Sequence, residues 1–328
     1  MDFKKLIIRY NQFGGFRLVI EYAKLGVLGT IVKGFFRCLV RRQSFKQIYP
    51  DVLRKIEPYL IKRYSPIVQE FKKRSSSLSL EHKRSKIIWF CWLQGIEQAP
   101  EIVHACYNSI KRNIPDREIQ IIDNDNWKEY VELPDYIIEK WEKKRIPAAL
   151  FSDILRLELL IKYGGTWIDS TVLCTGFQGS SSKFLEYLDA DLFLFQYTKQ
   201  GSIPVSISNW FITACSNNEV LMALGEMLCA YWKDYDCTLD YYIFHLFFSM
   251  LSKEYPEEIA KMPYGQSMNS LVLLHHMGER FEQKKWDNLT SRVCFHKLAF
   301  RLPKEIKDKE DNYYNYILNT NNTNCTNR

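Results

Sequence analysis

From Lys86 onward, short apolar runs alternate with longer stretches of helical period. Lys86-Ile87-Ile88-Trp89-Phe90-Cys91-Trp92 is almost wholly apolar and short, which predicts a buried parallel strand. Pro100 to Arg112 reads as a helix, and Glu118-Ile119-Gln120-Ile121-Ile122-Asp123 as a second strand that ends in acidic and Asn residues. Asp135 to Lys144 is another helix. Pro147 to Tyr163 is the clearest helix of the chain, because Pro suits its first position and Gly164 suits the left-handed position just past its end. Thr166-Trp167-Ile168 follows as a short strand. The alternation predicts an α/β fold with a largely parallel sheet. Residues 205–300 continue as mixed helix and strand. Beyond Asp311 the chain is rich in Asn, Thr and Tyr, and a frayed or disordered tail is expected. No internal repeat is visible.

The first 80 residues follow a different rule. Phe16, Ile20, Ala23, Val27 and Ile31 recur at spacings of three and four, with Arg17, Glu21 and Lys24 on another face. Arg37, Arg41 and Arg42 follow. A basic amphipathic helix of this kind suits an anionic membrane interface. It equally suits a helix that packs on the body and leaves its basic side in water. The polar stretch 74–85 is the best linker, which divides the chain into a helical extension (1–80), a body (81–303) and a polar tail (304–328).

Charge sharpens that division. The net charge is +7, yet residues 1–75 hold 17 Lys/Arg against 5 Asp/Glu, and the rest of the chain holds 28 against 33. No nucleic-acid motif accompanies the basic segment, so a nucleic-acid partner is not expected. The nine cysteines form no C-x-x-C pair. Cys91, Cys174 and Cys294 lie in apolar runs and read as buried free thiols, which favours a reducing compartment. The N-x-T sequons at Asn288, Asn321 and Asn324 would matter only in a secretory lumen. Leu18 to Phe36 is the longest apolar stretch, but Glu21, Lys24 and Lys33 interrupt it, so no transmembrane helix or cleaved signal is expected.

Ligands of parallel α/β sheets bind beyond the carboxyl ends of the strands. Three acidic groups are candidates there: Asp123/Asp125, Asp153 by way of its helix, and Asp169. Asp169 is the sharpest, because a Gly-Gly stop delivers the strand that it ends. Its carboxylate suits a divalent cation held against a diphosphate, or simply a capped turn. Asp153 and Arg156 share a helix face at a spacing of three. They suit hydroxyls and phosphates of a ligand, or form a plain intrahelical ion pair.

The run Phe151-Ser152-Asp153-Ile154-Leu155-Arg156 through Tyr163-Gly164-Gly165-Thr166-Trp167-Ile168-Asp169 resembles the S-D-x-x-R…Y-G-G-x-y-x-D signature of D-x-D sugar-binding-region glycosyltransferases. The large clostridial glucosylating toxins carry a similar segment. The resemblance is closer to the bacterial capsular polysaccharide synthesis proteins. Lys86 to Trp92, Leu133 to Lys140, Asn209-Trp210-Phe211, Leu239 to His245 and Phe295-His296-Lys297-Leu298 support it, over residues 84 to 302.

The resemblance implies a GT-A-like, Rossmann-type fold: a mixed, mostly parallel sheet flanked by helices. It implies transfer of a sugar from a nucleoside diphosphate sugar, usually a UDP-sugar, with Mn²⁺ or Mg²⁺ and retention of configuration. The acceptor would be a hydroxyl of a growing capsular glycan, oligosaccharide or lipid-linked. The location implied is cytoplasmic, on the inner face of the plasma membrane, reached through residues 1–75. Carried across, Ser152, Asp153, Arg156 and Gly165 would meet the donor, and Asp169 would be the first Asp of D-x-D. Trp92 would stack on the base, unless it is a core residue.

One departure matters. The second Asp of D-x-D is Thr171 here, a weaker ligand. His296 is the expected compensating ligand, since imidazole suits Mn²⁺, although a lone His after an apolar run is often structural. Asp240 is the expected base if the reaction inverts configuration. Two other readings remain: a protein-modifying, toxin-like transferase, and a non-catalytic binding protein on the same fold.

Overall fold

The computed structural model describes residues 10–42, 45–77, 80–177, 183–197 and 207–322. Residues 1–9 of the basic segment and the Asn324 sequon lie outside that description. A five-stranded sheet has the order β2-β1-β3-β6-β5. Its strands are β1 (Ile87–Cys91), β2 (Glu118–Ile122), β3 (Gly165–Ile168), β5 (Leu192–Gln196) and β6 (Ile207–Ala214). β1 pairs parallel with β2 and β3, and β6 runs antiparallel to β3 and β5. Four of the five strands therefore point the same way, giving the mixed, mostly parallel sheet expected.

Helices cover both faces because the strands are apolar on both sides. Trp89 and Trp167 enter one core with helix α6 (Ala148–Tyr163) and helix α7 (Glu219–Asp234). Ile88, Phe90, Ile168 and Phe211 enter the other core, with helix α4 (Glu101–Asn113) and helix α9 (Ser267–His276). Between them in sequence lie helix α5 (Asp135–Glu142) and helix α8 (Ile243–Glu254).

The turn from α6 into β3 needs two glycines. Gly164 has φ 68°, although its ψ of −162° departs from the left-handed helical cap that its position suggests. A Cβ on Gly165 (φ 96°) would stand 2.4 Å from the Ile87 carbonyl oxygen, where β1 passes. Only glycine fits both positions.

The amphipathic N-terminal segment is two helices, not one. Gly26, at φ 65°, separates α1 (Phe16–Lys24) from α2 (Val27–Val40). The break turns Val27 inward and leaves Phe16 72% exposed, so the stripe read as one face is split. Helix α3 (Tyr49–Ser75) runs past Pro58 and Pro66 and lies on α7 and α8. Tyr64 and Arg63 donate to Asp234 at 2.8 and 2.7 Å, and Lys72 pairs with Glu254 at 2.9 Å. Leu53, Ile56, Leu60 and Tyr64 share the core of α6 and α7.

A second, two-stranded sheet pairs β4 (Val172–Cys174) with β7 (Phe295–Lys297), antiparallel. It sets Lys297 opposite Val172, beside the strand end that carries Asp169. The tail differs from expectation: Tyr313–Asn322 is a helix (α10), not a frayed segment. Tyr313, Ile317 and Leu318 are buried, and Asn108 and Arg112 of α4 bond to Asn321 at 3.1 and 2.6 Å. Apolar residues at helical spacing, hidden among Asn and Thr, dock it. Among the described residues no helix is long and apolar enough to cross a membrane.

Candidate active site

The carboxyl ends of β1, β3 and β5 and the start of β6 enclose a cavity of about 720 Å³. That size accepts a drug- or nucleotide-sized ligand. Trp92, Ser152, Asp153, Arg156, Asp169 and Thr171 all line it. Helix α6 brings Asp153 and Arg156, one turn apart, to the rim that β3 reaches with Asp169.

Arg156 is the hub. Its guanidinium lies 3.3 Å from Asp153 and 3.5 Å from Asp169, and 4.8 Å over the Trp167 ring. Its N–H groups also donate to the Asn209 carbonyl, to the Ser152 carbonyl at 3.2 Å and to the Ser152 hydroxyl at 3.1 Å. Asn209 in turn donates to Asp153 at 2.8 Å. Burial pushes the Asp153 carboxyl up to about 7; Arg156 opposes that rise, and Asp169 adds to it.

Asp169 is held from several sides besides Arg156. Its Oδ1 accepts from the Trp167 indole at 2.8 Å, and its Oδ2 accepts from Lys297 Nζ at 2.7 Å. Its main-chain N–H donates to Trp210 at 2.8 Å, which fixes the turn. Burial works to raise this carboxyl, but Lys297 and Arg156 outweigh it and hold it below the ordinary carboxylate range. Lys297 Nζ also donates to Thr171 Oγ1, at 2.8 Å.

Three expected residues are not brought into the cavity. Gly165 is buried in β3, where its role is the close approach to Ile87. Asp240 turns toward the N-terminal helices, accepting from Tyr49 at 3.2 Å and from the Tyr242 N–H at 2.7 Å. Burial raises its carboxyl to about 6, against those two donors. His296 is fully buried, with Nε2 3.3 Å from the Thr175 hydroxyl. Burial pushes that imidazole down to about 4, with a backbone hydrogen bond to Val293 opposing, so it stays neutral. Side chains alternate along a strand, so when His296 faces inward, Lys297 faces Asp169.

Several lining residues were not singled out from sequence. Lys297 and Asn209 are two, and Tyr241 and Tyr242 just before α8 are others; His245, which reads from sequence as a core residue, is buried but also lines the cavity. Burial first, and Arg156 second, push the His245 imidazole down to about 3, so it is neutral. The period-2 pattern of Phe295-His296-Lys297 was the signal that could have chosen Lys297 over its neighbour. Cys174 and Cys294 are buried as expected, while Cys91 is half-buried at the cavity wall. Trp92 meets Phe300 edge-on at 5.2 Å, and its indole N–H has no acceptor among the described residues.

The expected metal set does not assemble. Of Asp169, Thr171 and His296, only the first two reach the cavity, and Lys297 Nζ already bonds to both. Among the described residues no group of three His, Cys, Asp or Glu suits a metal ion.

Sheet, cavity and charge cluster together define an α/β protein with a polar, charged cavity at the carboxyl ends of its strands, the usual place for a ligand in such folds. The family of capsular polysaccharide synthesis proteins matches residues 37–317, and this chain belongs to that family. Among solved structures, the PaToxG glycosyltransferase is similar at 14% identity, with a TM-score of 0.38, over 72% of this chain and 92% of that one. No curated protein matches.

Proposed function

We propose that the chain is a GT-A-type glycosyltransferase that moves a hexosyl unit from a UDP-sugar to a hydroxyl of a growing cell-surface glycan. The single observation that carries this reading is the Asp153–Arg156–Asp169–Lys297 cluster inside the cavity. Its two cations suit a diphosphate, and its buried carboxylate Asp153 suits sugar or ribose hydroxyls. Trp92, at the cavity wall, offers a ring to a base.

In the transfer, the anomeric C–O bond breaks and its electron pair goes to the departing diphosphate. The acceptor hydroxyl oxygen bonds to the anomeric carbon, and its proton passes to the diphosphate. Retention of configuration is favoured because the described lining contains only Asp153 and Asp169 as carboxylates, and both are held by Arg156. A panel of nucleoside diphosphate sugars, scored for hydrolysis, tests the reading. Turnover of one donor is expected; no binding and no turnover with any donor would refute it.

A pH profile follows from Asp153. The ionised form accepts from a sugar hydroxyl, and burial holds the group near 7. Donor kcat/KM is therefore expected to rise as pH increases through about 7 and to level off above. Asp153→Asn should be slow at every pH and lack that limb. A limb that persists in Asp153→Asn assigns it to another group.

A second cavity of about 1190 Å³ shares Ala148, Ala149, Tyr241 and Arg301 with the first. Trp141 and the 39% exposed Tyr241 offer it aromatic faces, which supports a glycan acceptor there.

The acceptor is proposed to be lipid-linked, with α1 and α2 on the cytoplasmic face of an anionic membrane. Phe16, Val32, Phe36, Leu39 and Val40 are each more than half exposed, beside Lys33, Arg41 and Arg42. Apolar rings within a basic rim match such a surface. Phe36→Ser with Val40→Ser is expected to weaken co-sedimentation with phosphatidylglycerol vesicles by roughly 30-fold, from about 2 kcal/mol of lost apolar insertion. Unchanged co-sedimentation would rule this surface out.

A further inference from the structure

We propose that Lys297 supplies the cation of this site, its ε-ammonium standing where a divalent metal would meet the donor diphosphate. The inference rests on the glycosyl-transfer reading given above and concerns how that same site handles charge.

In Asp169-Ser170-Thr171 the two positions that D-x-D fills with carboxylates hold one carboxylate and one hydroxyl, with the Ser170 hydroxyl between them at the cavity wall. Both are already coordinated by one cation: Nζ of Lys297 lies 2.7 Å from Asp169 Oδ2 and 2.8 Å from Thr171 Oγ1. The other Asp169 oxygen faces the Trp167 indole at 2.8 Å and Arg156 at 3.5 Å. A Mg²⁺ at its usual bond length of about 2 Å from these oxygens would fall on the lysine head and be repelled by it. The third ligand is absent from the cavity, because His296 faces the buried side of β7.

The arrangement is built by the fold rather than by a chance side-chain excursion. β7 pairs with β4 so that Lys297 sits opposite Val172, and the Leu298 N–H donates to the Thr171 carbonyl at 2.8 Å. Lys297 is thus pinned to the strand end that carries the motif. Thr171 then has a reason. A second carboxylate would suit a doubly charged metal, whereas a hydroxyl suits an ammonium that needs an acceptor and less negative charge. The lysine brings one positive charge where a metal brings two. Arg156, 3.5 Å from the same carboxylate, adds a second one. The leaving diphosphate would be neutralised by these two fixed cations.

The test is calorimetry on the full chain, with UDP as the probe, in EDTA and again in Mn²⁺. Wild-type affinity for UDP is expected to change less than about twofold between the two buffers. Lys297→Met should weaken UDP by roughly 10- to 100-fold in EDTA, the usual worth of a charge-assisted hydrogen bond. Lys297→Arg, which keeps the charge, should recover most of that loss, which a merely structural role would not require. In Lys297→Met with Thr171→Asp, Mn²⁺ should bind without nucleotide, and UDP affinity should become Mn²⁺-dependent. Wild-type UDP binding that needs Mn²⁺, or wild-type binding of Mn²⁺ alone, overturns the inference and leaves the donor reading intact. Absence of UDP, GDP and CDP binding in both buffers overturns the donor reading and the inference with it.

Discussion

Asp169→Asn is expected to lower donor turnover by roughly 10³-fold, with the loss in kcat rather than in nucleotide affinity. The carboxylate is 24% exposed at the cavity wall and holds three groups at once. It fixes Lys297 at 2.7 Å and the Trp167 indole at 2.8 Å, and it faces Arg156 at 3.5 Å. The asparagine amide keeps the volume but brings an NH₂ group to one side and no charge to the other. Lys297 then loses its anchor and Arg156 loses half of its compensation. The net charge facing a diphosphate rises by one, so UDP affinity should hold or increase. What is lost is the fixed direction of the two cations, on which stabilisation of the leaving group depends. A turn-capping Asp169 would behave differently: stability would fall and the residual folded enzyme would turn over normally. Single-turnover kinetics, UDP calorimetry and a thermal melt on one preparation separate these cases. Normal turnover per folded molecule would remove Asp169 from the site.

How much of this could be read in advance depended on which physical signal carried it. Residues 86–92 and 118–123 announce strands because both faces of a parallel sheet are buried and the run is continuously apolar. Gly164-Gly165 announces a tight entry into β3, and the positive φ at both positions explains it. Asp153, Arg156 and Asp169 lie close in sequence, so helix and strand periods suffice to bring them to one rim. Lys297 comes from 128 residues beyond Asp169, and its approach is fixed by the β4–β7 register, which no local period encodes. The same gap explains His296. Its residue type suggested a ligand, while the alternation of β7 turned it inward. Asp240 lies outside the cavity lining for a related reason: its carboxylate accepts from Tyr49 of α3, which is distant in sequence. In the tail, composition concealed Tyr313, Ile317 and Leu318 among Asn and Thr, though their spacing is helical.

Arg156→Met is expected to damage both the fold and the reaction, and a second substitution separates the two. The guanidinium side chain is 5% exposed and stands between Asp153 and Asp169. At a pH well above 7, where Asp153 is ionised, removing one member of a buried ion pair leaves an uncompensated charge and lowers stability by about 3–5 kcal/mol; at lower pH Asp153 takes up a proton and the loss is smaller. With an unfolding entropy of about 2.1 cal/mol/K per residue, the full loss is a fall in Tm of roughly 4–7 °C. Asp153 suffers most, because Lys297 still faces Asp169, whereas Arg156 is the cation that restrains the rise of the Asp153 carboxyl. Adding Asp153→Asn should therefore recover a large part of the lost stability, since the stranded charge is gone. Turnover should stay down by roughly 10³-fold or more in both variants, because neither restores a cation to the diphosphate. Arg156→Lys should be folded yet slow: one ammonium cannot span two carboxylates and the Ser152 and Asn209 carbonyls that the planar fork reaches. Melts and donor kinetics on the three variants decide the matter. If stability and turnover recover together in the double variant, Arg156 is a structural residue and the diphosphate is held elsewhere.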